Sequence, residues 1–149
     1  MKTVRIASLI ARSAFMLAML LGLLLWIAQI LDLYMLLRIL LQIGMTYIHE
    51  ILGITGTLAF IILAFVAVWK RELRLLGIFS MVYAILVVAF GVTQSRILVG
   101  NLHWLIQVAH LLIGIGAMYL ARGVERRYRR LTQSGLGRQN SEASVLQVM

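Results

Sequence analysis

Polarity along the chain falls into four long runs without charge, separated by short charged stretches. The runs extend from Ser13 to Leu31, from Ile39 to Trp69 with only Glu50 inside it, from Leu75 to Ser95, and from Ile97 to Ala121. A hydrocarbon core of about 30 Å is crossed by about 20 helical residues, and these runs hold roughly 19, 31, 21 and 25. Transmembrane strands would instead alternate strictly over about 10 residues, whereas Leu17 to Trp26 and Phe60 to Trp69 are continuously apolar. The pattern predicts an all-α integral membrane four-helix bundle. Its expected parts are a basic N-terminus over 1–12, a transmembrane domain over 13–121 (helices at 13–31, 39–69, 75–95 and 97–121), and a tail over 122–149. That tail is basic and then rich in Thr, Gln, Ser and Gly, a composition that predicts disorder.

Composition sharpens the class. Of 149 residues, 62% are hydrophobic and 13% charged, with a mean hydropathy of +0.99, which excludes a water-soluble globule. The absence of Cys removes disulfides, thiolate metal sites, iron–sulfur clusters and covalent haem attachment, and the absence of Pro removes proline kinks. The N-terminal basic and apolar segments have the outline of a signal peptide, but the apolar run is too long and ends without a small-x-small cleavage pair, so a retained first helix is expected.

The formal net charge of +9 is mostly a topological signal. Of the 14 Lys and Arg, 12 fall in the N-terminal tail, the middle loop around Lys70, Arg71 and Arg74, or the C-terminal tail from Arg122 to Arg138. Only Arg38 and Arg96 lie opposite. The positive-inside rule then predicts up-down-up-down order with both termini in the cytoplasm, and the Asp32 to Arg38 and Arg96 to Asn101 connections outside. A bacterial inner (plasma) membrane fits that bias. The basic stretch from Arg122 to Arg130 reads as a juxtamembrane stop touching anionic lipid, with no nucleic acid as partner.

Helix interfaces in lipid are marked by small residues and by polar residues that need partners. In the second span Gln42, Thr46, His49, Gly53, Gly56 and Phe60 recur at threes and fours, and in the fourth His103, Gln107, His110, Gly114 and Ala117 do the same. The third offers Gly77, Ala84, Gly91 and Ser95, and the first Gly22, Trp26 and Gln29. Most intramembrane polar groups sit toward the outer half, and ionisable residues there mark a site by default, which directs attention to His49, Glu50, His103 and His110.

A b-type haem held between two helices needs two neutral imidazoles facing each other. His49-Glu50-Ile51-Leu52-Gly53 and His110-Leu111-Leu112-Ile113-Gly114 share a His-x-aliphatic-aliphatic-Gly pattern in which Gly53 and Gly114 leave room for a flat macrocycle. The expected ligands are His49 and His110, with His103 and Arg96 above the ring near its propionates. Height favours the alternative pair of His49 with His103. Counted from Lys70, His49 stands about 31 Å up its helix, whereas from Arg122 His103 stands at about 28 Å and His110 at about 18 Å. A zinc-protease motif fails because Gly53 occupies its second His position. The Met residues, Met45 among them, read as packing. Glu50 points about 100° away from His49 and is a candidate proton acceptor for quinol oxidation, set against an ion pair with Arg38 or Arg96.

With His49 near the outer start of the second span, Glu50 and aliphatics after it, a long apolar run to Lys70 and Arg71, Gly91 in the third span and a His-bearing start to the fourth, residues 39–121 resemble one half of the haem A synthase family. The resemblance implies a four-helix bundle around a haem ligated from its second and fourth helices. The chain departs from that family at Glu50, where an Arg is usual, in lacking its Cys residues, and in having one half instead of two. Synthase activity is therefore not carried over, and small transmembrane b-type cytochromes are the broader comparison. The expected function is electron transfer through haem b between a quinol, or a partner in a larger redox complex, and an acceptor at the outer side. The alternatives are a cofactor-free subunit or assembly factor and a small transporter. Lipid-facing surface leaves room for a homo-oligomer, without a stripe that defines its face.

Overall fold

The computed structural model describes the backbone of residues 2–98, 100 and 102–148, and the side chains among these apart from Ser95 and residues 135–148. Ser95, Asn101 and Arg138, named above, lie outside the described residues or side chains. Among the described residues the structure is helix and turn, without strand: α1 (Lys2–Ile30), α2 (Tyr34–Gln42), α3 (Met45–Trp69), α4 (Arg74–Thr93) and α5 (His103–Val148). Single 3-10 turns at Arg71–Leu73 and Gln94–Arg96 lie beside α4. Four helices are long and apolar enough to cross a membrane, and α2 is the short exception.

Helix boundaries depart from the hydrophobic runs where the runs contain no punctuation. The 31-residue second run is two helices, α2 and α3, separated at Ile43 and Gly44. Gly44 takes φ 74°, a left-handed conformation that closes α2, and its N–H reaches the Leu41 carbonyl at 3.1 Å. Its own carbonyl then accepts from Ile48, opening α3. The excess length of the run is thereby spent on a break. At the other extreme, α1 begins at Lys2, so the basic N-terminus is part of the helix. Val4, Ala7, Ser8 and Ala11 recur at threes and fours on its buried face, while Lys2 and Arg5 point outward. The tail expected to lack structure continues α5 to Val148, with no proline to interrupt the helix.

The four long helices form a ring in which α1 packs on α3 and α5, and α4 packs on the other sides of the same two helices. Across the ring α3 and α5 also meet, whereas α1 and α4 do not. The seam is built from small residues: Ala11, Ala64, Ala67, Ala84, Ala117 and Ala121 are wholly buried. Two larger side chains, Phe60 and Leu63, fill the centre, and Phe15 meets Phe60 edge-on at 6.4 Å and 73°. Gly56 admits the Phe15 ring, since a Cβ there would lie 2.9 Å from its Cδ1. Gln42 and Thr46 of the predicted stripe face outward, while Gly56 and Phe60 are buried.

The core does not stop at Arg122. Val4, Leu73 and Val124 are buried in one continuous cluster, with Tyr128 packed against it. The α3–α4 connection therefore lies beside α5 well past the first arginine of that helix. In the α3–α4 hairpin the two backbones approach closely, and a Cβ on Gly77 would meet the Val68 backbone nitrogen at 2.5 Å. Gly77→Ala should lower thermal stability in detergent by about 1–3 kcal/mol, because backbone cannot swing aside. Gly91→Ala, with no atom within 4 Å of its Cβ, should be neutral or stabilising. Equal melting temperatures for the two variants would refute the close approach.

Candidate functional site

His49 lies one turn into α3 and His110 two turns into α5, on faces that meet inside the ring. Their imidazole centroids are 6.2 Å apart with an interplanar angle of 50°. Two imidazoles on opposite sides of one metal ion, each bonded at about 2.0 Å with roughly 1.1 Å more to the ring centroid, stand about 6.2 Å apart. Both rings then contain the common axis and can be rotated freely about it, so the 50° angle is compatible with shared ligation.

The orientation of His49 is set by α1. Its Nδ1 lies 2.7 Å from the Ala18 carbonyl oxygen, which can only accept, so Nδ1 carries the proton and donates it. Neutral His49 is left with a lone pair on Nε2, the arrangement usual for a ligating histidine whose other nitrogen bonds a backbone carbonyl. One turn along α1, Gly22 makes room for the ring: a Cβ there would stand 3.0 Å from Cε1 and 3.3 Å from Nδ1. His110 is the complementary case. Its Nδ1 is buried without a hydrogen-bond partner among the described residues, an arrangement that costs free energy unless another group engages the ring. Gly53 and Gly114, one turn further along each helix, have no atom within 4 Å of a would-be Cβ. The donor set, the orphaned buried nitrogen and the open glycine faces fit a planar metallo-macrocycle.

The height difference that separated His49 from His110 arises from measuring both helices to their first cation. The ruler that holds in the structure is α1. Ser8 lies against Ala121 and Glu125 of α5. Ten residues up α1 from Ser8, about 15 Å, is Ala18 beside His49, and eleven residues back along α5 from Ala121, about 16 Å, is His110. The two histidines thus reach one level because α5 extends past Arg122 as core.

The other sequence candidates are not drawn into this pair. The His103 ring faces the connection before α5, with Nδ1 3.3 Å from the Ile97 carbonyl, and Arg96 is exposed on its turn. His103 stands two turns, about 10 Å, beyond His110. Glu50 and Tyr47 are exposed on the outer side of α3, and neither Arg38 nor Arg96 forms an ion pair with Glu50 among the described residues. No three His, Cys, Asp or Glu side chains converge on a metal position there. Met16 and Met35 are largely exposed and supply no thioether to the pair.

Of three supporting residues, Gly22 belongs to the small-residue stripe of the first span, whereas Ala18 and Tyr83 carry little sequence signal. Ala18 acts through its backbone, Gly22 through the atom it lacks, and Tyr83 of α4 through a hydroxyl that donates to the Ile113 carbonyl at 3.1 Å, with Gly116 leaving space for it. That bond pins α4 to α5 close to His110. Comparison with protein-family models, curated proteins and solved structures finds no match.

Nitrogen-15 NMR of histidine-labelled protein in detergent tests the orientation. Neutral His49 should show a protonated Nδ1 and a bare Nε2. In Gly22→Val the crowded ring should lose that bond and show a mixture of tautomers. A wild-type His49 protonated on Nε2 would overturn the assignment.

Proposed function

We propose that the protein is a small membrane b-type cytochrome in which His49 and His110 would hold one haem. The observation that carries this reading is the facing pair itself: two imidazoles at 6.2 Å, one with its Nδ1–H tied to a backbone carbonyl and the other with an unsatisfied buried nitrogen. Ala18 and Gly22 fix the tautomer and plane of His49, and Gly53 and Gly114 give a flat ring access to the helix backbones. Bound haem would supply reversible one-electron chemistry, which the surrounding apolar bundle shields from water. The reading takes the helices in up-down-up-down order with both termini in the cytoplasm of a bacterium, supported by the 12-to-2 distribution of basic residues. The histidine pair then lies toward the outer face, suited to pass electrons from a quinol or a redox partner to an external acceptor. Glu50, exposed one residue from His49, is assigned as the acceptor of the quinol proton.

The test is a reduced-minus-oxidised visible spectrum of the full chain expressed with ample haem, with pyridine extraction to type the haem. A low-spin b-type signal should be abolished by His49→Ala and by His110→Ala and should survive His103→Ala. A colourless wild-type protein would sink the cytochrome reading and leave a cofactor-free subunit or assembly role. Retention of the signal in His110→Ala with its loss in His103→Ala would move the second ligand to His103. For the proton role, Glu50→Gln should keep the spectrum and slow quinol-driven haem reduction about a hundredfold. An unchanged rate would remove Glu50 from the mechanism.

A further inference from the structure

The opposite end of the bundle holds a second site, built from α1 and α5 and separate from the histidines. Ser8 and Glu125 are both buried there, an unusual position for a carboxylate unless it is paired. Glu125 accepts a hydrogen bond from the Ser8 hydroxyl at 2.7 Å and pairs with Arg12 at 3.4 Å, while Arg12 Nε donates to the Ser8 carbonyl at 3.2 Å. This small network joins the two helices and fixes one guanidinium. Around it opens a cavity of about 430 Å³ into which Arg5, Arg122, Arg126 and Arg129 also project, with Leu9 as its apolar wall. None of those four arginines has a carboxylate partner among the described residues. Five guanidiniums against one carboxylate leave four positive charges in excess, and their mutual repulsion makes the cavity unfavourable unless an anion enters it.

Spacing shows that the convergence is specific. Arg122, Arg126 and Arg129 recur at four and three on one face of α5, and Arg5, Leu9 and Arg12 do the same on α1. Arg127 and Arg130, equally basic and exposed, fall outside the cavity. Guanidinium forks match phosphate oxygens in bidentate geometry, and several can share one phosphate. The apolar surroundings point to a lipid source for that phosphate. The α1 face that carries Arg5 and Arg12 continues toward the membrane centre as Met16 and Leu20, and the α5 face that carries Arg122 continues as Tyr119 and Leu112, all exposed. A headgroup seated among the arginines would leave its acyl chains along this track.

The geometry points to a binding site for the phosphate headgroup of an anionic phospholipid between α1 and α5, read by Arg5, Arg12, Arg122, Arg126 and Arg129. Basic pockets between transmembrane helices recognise such headgroups, and each cation near the surface contributes measurably to the attraction.

Native mass spectrometry of the full chain in detergent, titrated with phosphatidylglycerol, tests the site. Wild-type protein should retain one phosphatidylglycerol in preference to phosphatidylcholine. Arg126→Gln/Arg129→Gln should bind it roughly thirtyfold more weakly, while Arg127→Gln/Arg130→Gln, with the same loss of charge, should bind as wild type. Circular dichroism of each variant confirms an intact helix content before comparison. Equal weakening in both pairs would show diffuse surface attraction and overturn the site, as would equal retention of phosphatidylcholine. Competition by inorganic phosphate at millimolar concentration would overturn the lipid assignment in favour of a soluble phosphate compound.

Discussion

Lipid tails are as apolar as leucine, so α1, α3 and α5 gain their mutual attraction from van der Waals contact, which requires that their backbones approach closely. Alanine is what permits it. The buried faces of α1 and α3 carry Ala7, Ala11, Ala14, Ala59, Ala64 and Ala67, and α5 presents Ala117 and Ala121 to them. Every later feature inherits this tight spacing. His49 reaches a carbonyl of α1 directly, and the His49 and His110 rings meet across the diagonal of the ring with centroids 6.2 Å apart.

Polar groups then fix what the alanine seam leaves free, which is sliding along the helix axes. Polar contacts hold α1 at two levels: Ser8 and Arg12 on Glu125 near its start, and the Ala18 carbonyl on His49 near its middle. In an apolar medium such contacts have few competitors, so they select register more than they add stability. On the far side of the ring the Tyr83 hydroxyl on Ile113 does the same for α4 and α5. Three helix pairs are thus indexed by five side chains.

The four long apolar helices were legible because long apolar runs stand out in any membrane sequence, and His49 and His110 stood out within them as isolated ionisable residues. The break at Gly44 was not, since a helix end inside a charge-free run has no polar punctuation, and a glycine with φ 74° looks like any other glycine in the chain. The apparent mismatch in height between His49 and His110 had the same origin. A first arginine marks where a helix meets water only if it faces water on all sides, and Arg122 faces outward from a helix whose next turns, Val124 and Glu125, are buried. Of the supporting contacts of His49, Gly22 was marked as a small residue of the first span, whereas the Ala18 carbonyl has no side-chain signature.

The pairing of α1 with α5 has a consequence for biogenesis. Helices enter the membrane in chain order, so α1 can pack on α3 while α5 is still unmade, but its Ser8 and Arg12 wait for Glu125 until α5 has been made. His110 arrives on that same helix. A nascent chain therefore holds His49 in place and lacks its counterpart, and the two imidazoles meet only when α5 inserts, so that closing the four-helix ring and bringing the pair together are a single event.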